Sequence, residues 1–260
     1  MIDISFNEIL KVIKIIKKAQ DEVLKIYQSD FKCSFKDDNS PLTEADTNSN
    51  NIICSELLKY YPSIPILSEE SSNKINIKNK NDYFWCIDPL DGTKEFLKKN
   101  DEFTINISLI KNQYPILGVI CVPVLRTIYA AGRGIGSFKF TSDGSLIPIK
   151  IKKRDPSNLV FAVSRSHLDK FTKKFIGDSE CIRTGSSLKF TMVAEGKVDC
   201  YPRFGKTMLW DVAAGHCIIR EAGGQVLDTK GRELIYDISK LSNVEFVASN
   251  IGITENINHD

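Results

Sequence analysis

The sequence predicts a layered protein of mixed α/β (α+β) class, and three observations carry that expectation. The chain opens on a helical apolar period, its middle is a run of short β-branched segments, and its second half alternates strand and helix patterns. With 260 residues, 42% hydrophobic and 26% charged, it has the ordinary mixture of a globular protein. A chain of this length buries roughly 70–75% of its unfolded surface and needs no disulfide or metal staple.

The elements follow in order. Over 4–27, apolar groups at Phe6, Ile9, Leu10, Ile13, Ile16, Val23 and Leu24 recur at helical spacing, so one amphipathic helix is expected, its lysines forming a solvated face. A second helix is expected after Thr43, where T-x-x-D has the form of a capping box, running to about Tyr60 and ended by Pro62 and Pro65. Strands are expected at 65–68, 83–90, 103–110 and 115–124, the last two joined by the polar turn KNQY, with 126–140 continuing the meander. Its GRGIGS is read as a glycine-rich hairpin, because no helix pattern follows to make it a dinucleotide site. Beyond it come a strand at 159–164, helices at 166–176 and 186–196, a strand at 199–204, and a helix at 210–223 ending on Gly223-Gly224. QVLD and VEFVAS close the chain as strands. The whole of 1–260 reads as a single domain, loosely divided near 150–158 into a metal- and phosphate-binding half (1–155) and a substrate-binding half (156–260).

Composition excludes several classes of function. Lys plus Arg is 35 and Asp plus Glu is 33, a net charge of +2, with the lysines dispersed, so neither nucleic acid nor an anionic membrane is an expected partner. The seven cysteines are scattered and never form C-x-x-C, which reads as free thiols in a reducing compartment. No segment reaches the ~20 apolar residues of a membrane span and the N-terminal segment is not a signal peptide, so a cytoplasmic protein is expected, with peripheral attachment to the cytoplasmic face of the inner membrane left open. No G-x-S-x-G elbow supports a serine hydrolase.

The sharpest local feature is W-C-I-D-P-L-D-G-T, in which Asp88 and Asp91 leave the end of an apolar strand. A plain turn is one account, since Pro and Asp-Gly form turns. The other is that both carboxylates converge on a hard cation such as Mg²⁺. Two further acidic signals favour the second account: S-E-E at 68–70 follows another strand, and Trp210-Asp211 opens a helix with Ala213, Ala214 and Gly215 suited to close packing. Asp211 alone reads as a helix N-terminal acid. Together, Glu69, Asp88, Asp91 and Asp211 would repel one another and take up protons unless cations neutralise them. Amides of Gly92 and Thr93, ahead of K-E-F-L, would suit a phosphate, so the pattern points to phosphate-ester chemistry.

E-E, D-P-L-D-G-T and W-D-x-A-A-G resemble the lithium-sensitive, magnesium-dependent phosphatases of the inositol monophosphatase superfamily. DGTKEFLKKNDEFTINISLI (91–110), SRSH (164–167), GSSLKF (185–190) and YPRFGKTMLWDVAAGH (201–216) resemble its bisphosphate nucleotidase branch. The resemblance implies an αβαβα sandwich of the inositol monophosphatase / fructose-1,6-bisphosphatase type. It also implies hydrolysis of a small nucleotide, adenosine 3′,5′-bisphosphate, to AMP and phosphate, and of 3′-phosphoadenylyl sulfate to adenylyl sulfate in sulfur assimilation. On the same ground two or three Mg²⁺ ions would be held by the side chains of Glu69, Asp88, Asp91 and Asp211 and by the Leu90 carbonyl, with Glu70 outside the ligand set. Glu69 and Thr93 would position the attacking water, with Asp46 hydrogen-bonded to Thr93. Leu90, Asp91, Gly92, Thr93 and Asp211 would border the scissile phosphate, and Ser186, Lys189 and Arg203 would hold the second one. His167 would touch base or phosphate, or else cap a helix; His216 reads as packing. An inositol or sugar phosphatase, or a non-catalytic metal- and phosphate-binding regulator, is the alternative, the first disfavoured by DGTKEF in place of DGTTNF. The sequence leaves the oligomeric state open.

Overall fold

The computed structural model describes residues 4–36, 40–71, 83–151, 158–165 and 168–250. The first half runs α1 (Phe6–Tyr27), β1 (Cys33–Phe35), β2 (Pro41–Thr43), α2 (Glu44–Tyr60), β3 (Ile66–Ser68), β4 (Phe84–Asp91), α3 (Thr93–Leu97), β5 (Thr104–Lys111), β6 (Tyr114–Val122), β7 (Thr127–Gly132), β8 (Gly136–Phe140) and β9 (Leu146–Ile149). The second runs β10 (Val160–Ser164), α4 (Lys170–Ile176), β11 (Glu180–Thr184), α5 (Leu188–Ala194), β12 (Cys200–Arg203), β13 (Thr207–Met208), α6 (Leu209–Glu221), β14 (Gln225–Asp228), β15 (Ser242–Asn243) and β16 (Phe246–Ser249). Residues 152–157, where the sequence suggested a division, lie outside the described residues.

Side-chain alternation along the strands sorts the protein into layers. Strands β3 to β9 lie side by side in sequence order, a meander except for the parallel pair β3–β4. On β4, Trp85 and Ile87 face a core shared with α1 and α2, while Phe84 and Cys86 face the core around α6. The second sheet, in the order β11-β10-β12-β16-β14, covers the far side of α5 and α6. On its own far side, Phe161, Val163, Cys200 and Val247 pack against Ile176 of α4. The stack is helices, seven strands, helices, five strands, helix, which is the αβαβα sandwich.

Local chemistry accounts for the elements. Helix α1 buries Ile9, Val12, Ile16, Ala19 and Val23 along one stripe and is capped by the Ser5 hydroxyl. The KNQY turn takes Asn112 and Gln113 into positive φ (52° and 67°), the twist a tight hairpin requires. Helix α6 is buried at every position from Leu209 to Ile219 except Asp211, as befits a helix between two sheets. It gets there because glycines remove the obstacles. A Cβ on Gly118 of β6 would stand 2.5 Å from the Ala214 carbonyl oxygen, and one on Gly215 would stand 2.2 Å from Cγ of Phe190.

The structure shortens two expected helices. Helix α5 covers Leu188–Ala194 rather than 186–196, because Ser186 lies in the left-handed region at φ 45° and breaks the period. Helix α4 begins at Lys170 rather than 166, with the Asp169 carboxylate accepting from the Thr172 amide. Among the described residues no helix is long and apolar enough to cross a membrane.

Gly118→Ala is expected to destabilise the fold by about 1–3 kcal/mol, the usual cost of overpacking, because the clash is with backbone and cannot be relieved by a rotamer. Urea denaturation checks this; an unchanged midpoint would mean that α6 is not seated on β6 as described.

Candidate active site

Strand β4 keeps its apolar alternation to Ile87 and then reads Asp88-Pro89-Leu90-Asp91. Its ladder with β5 pairs Asp88 with Asn106 and Asp91 with Thr104, three steps against two, so one residue is bulged out. An extra residue resets the alternation, which brings two aspartates three apart toward the same side. Pro89 suits the bulge because it has no N–H to donate. The Leu90 amide donates to Asp88 Oδ1 (3.1 Å), and the Ser49 hydroxyl of α2 donates to the Pro89 carbonyl (2.7 Å). Gly92 then turns the chain at φ 94° into α3.

The capping box of α2 supplies a second group to the same turn. Asp46 Oδ2 accepts from the Thr43 amide (2.7 Å) and hydroxyl (2.5 Å), while Oδ1 accepts from the Thr93 hydroxyl (3.0 Å). Thr93 Oγ1 also lies 3.3 Å from the Leu90 carbonyl. Burial raises the Asp46 carboxyl, and the hydrogen bonds from Thr43 and Thr93 oppose that rise.

Asp91 is fixed by groups that sequence reasoning missed. Its Oδ2 accepts from the Ser187 amide (2.6 Å) and lies 3.4 Å from Asn106 Nδ2 and 3.5 Å from Thr104 Oγ1. The Ser187 hydroxyl donates to Asn106 Oδ1 (2.7 Å) and pairs with Thr104 Oγ1 (2.8 Å), a buried polar knot joining β5 to the start of α5. The signal was present in FTINISLI, whose Thr104, Asn106 and Ser108 alternate with isoleucines and so share one face of β5.

Asp211 arrives on the first turn of α6, where its Oδ2 accepts from the Met208 amide (2.8 Å). Glu69 stands in the turn after β3, bonded to Lys36 Nζ at 2.8 Å; the same ammonium holds Glu70 at 2.7 Å. Lys36 is the other residue missed, its pairing invisible in a sequence separation of 33. Burial works against its charge, but Glu69 and Glu70 carry the Lys36 ammonium above its ordinary range.

Negative charge is crowded here. Burial, then Glu69, Asp91 and Asp211, push the Asp88 carboxyl well above the usual range. Burial lifts Asp91 to about 6 against the pull of Lys189 and the Ser187 amide. Burial and the Asp91 charge lift Asp211 to about 8. Among the described residues no three histidine, cysteine or acidic side chains are drawn closely enough together to hold an ion as they stand. Yet each aspartate has one oxygen tied to a backbone amide, leaving Asp88 Oδ2, Asp91 Oδ1 and Asp211 Oδ1 outside those bonds. Oriented hard oxygens with charge to offset are a donor set that fits Mg²⁺.

The site opens on a cavity of about 260 Å³. Glu69, Asp91, Gly92, Thr93 and Asp211 line it together with Ser186, Lys189 and Arg203. Asp46, Asp88 and Leu90 are not in its lining and are almost wholly buried. Ser186, expected inside the helix that carries Lys189, precedes it. Lys189 Nζ instead bonds back to the Ser186 carbonyl (2.5 Å) and lies 5.2 Å above the Tyr201 ring, and burial draws it down to about 8 despite Asp91. Arg203 donates from Nη1 to the Ser164 hydroxyl (3.2 Å) and from Nη2 to the Lys206 carbonyl (3.3 Å). His167 lies outside the described residues. His216 is buried in α6, bonded to Tyr236 and Glu233, away from the cavity lining.

Comparison with known proteins gives the arrangement a context. A model of the inositol monophosphatase family matches residues 1–258. The chain is 42% identical over 244 residues to the 3′(2′),5′-bisphosphate nucleotidase CysQ of Buchnera aphidicola, covering 92% of this chain and 90% of that one. It is 38% identical over 231 residues to the Escherichia coli protein of the same name, covering 87% and 92%. The crystal structure of CysQ from Bacteroides thetaiotaomicron superposes with a TM-score of 0.80 at 37% identity, covering 94% of this chain and 97% of that one.

Carboxyls raised by folding stabilise the fold fully below their unfolded value of about 4, and that contribution is lost as pH rises through about 6 for Asp91 and about 8 for Asp211. A divalent cation competes with those protons. Mg²⁺ is therefore expected to raise Tm more at about pH 8 than at about pH 5.5. Equal increments in thermal melts at both pH values would remove this cluster as the binding site.

Proposed function

The chain belongs to the inositol monophosphatase family, and from that premise we propose that it is a Mg²⁺-dependent 3′(2′),5′-bisphosphate nucleotidase. Its substrate is adenosine 3′,5′-bisphosphate, cleaved to AMP and phosphate, with 3′-phosphoadenylyl sulfate as a second substrate. The observation that carries the reading is that crowded carboxylates and the cations Lys189 and Arg203 line one cavity. A substrate with two phosphates answers both, one through metal and one directly.

Glu69, Asp88, Asp91 and Asp211, with the Leu90 carbonyl, would hold two or three Mg²⁺ ions. Bound there, the metal supplies Lewis acidity toward water and the leaving ribose oxygen. The rest belongs to the chain's own groups. With its proton directed to Asp46 Oδ1, Thr93 Oγ1 presents a lone pair to the incoming water, and Glu69 is its second partner. Amides of Gly92 and Thr93 take the oxygens of the scissile phosphate. Lys189 offsets Asp91 and, with Ser186 and Arg203, receives the remote phosphate. In this division residues 1–155 serve the reacting phosphate and 156–260 the remote end, with Asp211 reaching back across.

Phosphate release from adenosine 3′,5′-bisphosphate, 3′-AMP and inositol 1-phosphate, with and without Mg²⁺, tests the reading. The bisphosphate is expected to lead in kcat/KM by about 10- to 100-fold, the worth of one charge-assisted contact. Faster cleavage of inositol 1-phosphate would replace the assignment with a sugar-phosphate monophosphatase.

Asp91→Asn keeps an acceptor for the Ser187 amide while removing one crowded charge. Without Mg²⁺ its Tm is expected to equal or exceed that of the wild type. It should lose the Mg²⁺-dependent rise in Tm, and turnover should fall at least about 100-fold, the upper end of what losing an outer partner of a metal ligand costs. Surviving turnover in a normally folded variant would take Asp91 out of the ligand set.

A further inference from the structure

Two cations that line the cavity, Lys94 and Arg165, have no part in the assignments above, and Arg165 is the one gripped by a fixed acid. Arg165 follows Ser164 at the end of β10, and both line the cavity. Ser164 accepts from Arg203, so this one turn organises two arginines on the same wall. Arg165 itself is clamped: Nε donates to Glu102 Oε2 (2.6 Å), and Nη2 donates to Glu102 Oε1 (2.5 Å) and to the Arg183 carbonyl (2.9 Å). Burial opposes ionisation of Glu102, yet the Arg165 guanidinium keeps its carboxyl below the usual range. These bonds use the Nε and Nη2 donors and leave the two N–H groups of Nη1 outside them.

Glu102 is itself held where the Gly92 turn meets the Gly185–Ser186 loop. Its Oε2 also accepts from the Gly185 amide (2.9 Å). A Cβ on Gly185 would stand 2.7 Å from the Glu102 carbonyl oxygen, and one on Gly92 would stand 3.1 Å from the same atom and 3.3 Å from Cβ of Ser186. The acid that grips Arg165 is thus wedged between the Gly92 turn and the Ser186 loop, and the guanidinium is oriented before any ligand arrives. A guanidinium held in place loses little side-chain freedom on binding, and its remaining Nη1 donors keep a fixed direction that a mobile ammonium lacks. Lys189, by contrast, is tied to the Ser186 carbonyl and faces Asp91.

We propose that Arg165, clamped by Glu102, is a specificity-determining contact that donates from Nη1 to the second phosphate of a nucleoside bisphosphate. This rests on the nucleotidase reading above.

Steady-state kinetics with adenosine 3′,5′-bisphosphate and 3′-AMP tests it, on wild type, Arg165→Ala, Arg165→Lys and Glu102→Gln, each checked by thermal melting. Arg165→Ala is expected to lower the bisphosphate-to-3′-AMP ratio of kcat/KM by about 3- to 10-fold, a part of the preference, chiefly through KM for the bisphosphate. Arg165→Lys keeps the charge without the fork and restores only part of the ratio. Glu102→Gln keeps Arg165 but loosens its clamp, and lowers the ratio by less than Arg165→Ala. A wild type without preference for the bisphosphate overturns the nucleotidase reading and this contact with it. A wild type with that preference, retained in a folded Arg165→Ala, overturns the Arg165 contact alone.

Discussion

Asp88 and Asp91 end a strand that is otherwise wholly apolar, and keeping them there beside Asp211 and Glu69 works against folding unless each carboxylate has partners. Much of the architecture can be understood as the supply of those partners. Backbone amides at Leu90, Ser187 and Met208 each hold one oxygen, and each comes from a different turn of the chain. Amides serve better than side chains here because they are fixed by the fold and carry no net charge. They orient a carboxylate without neutralising it, so its charge remains for a cation.

Bringing those turns together is a packing problem. Asp211 is useful only if α6 lies flush on the seven-stranded sheet, and Gly118 and Gly215 are the absences of side chain that let it do so. The far end of α6 is fixed differently. His216 Nδ1 meets the Tyr236 hydroxyl at 3.1 Å and its Nε2 meets Glu233 at 3.3 Å, while burial lowers the imidazole below its ordinary value. A neutral histidine satisfied on both nitrogens anchors a buried helix without adding charge near the carboxylates.

The sequence made the large elements and the carboxylates legible for one reason: each leaves a local trace. α1, α2, α6 and the meander announce themselves by period and cap, and Asp46, Asp88 and Asp91 by motif. What escaped was set by contacts distant in sequence. Ser187 meets Asp91 across a separation of 96 residues and Lys36 meets Glu70 across 34, and no local pattern marks either pair. Short strands such as β1 and β11 escaped because pairing, not propensity, makes them; CSF in β1 is exposed at every position. Ser186 escaped because a helical period and the left-handed residue before it share the same letters; its φ of 45° follows from the loop pressed against Gly92 and Glu102.

Carbonyls, a hydroxyl and an acid in turn hold the arginines that share the cavity lining with the carboxylates. Arg203 donates to a hydroxyl and a carbonyl, and Arg165 to its own acid and a carbonyl. Lys36 bonds to Glu69, the Lys189 charge pulls down the Asp91 carboxyl, and the Arg203 charge pulls down that of Asp211. In the proposed reading, bound cations would take the place of the protons that the crowded carboxyls hold, and an anionic ligand would answer the lysine and arginines. The hydrogen bonds that fix the carboxylates and arginines keep them in place before either arrives.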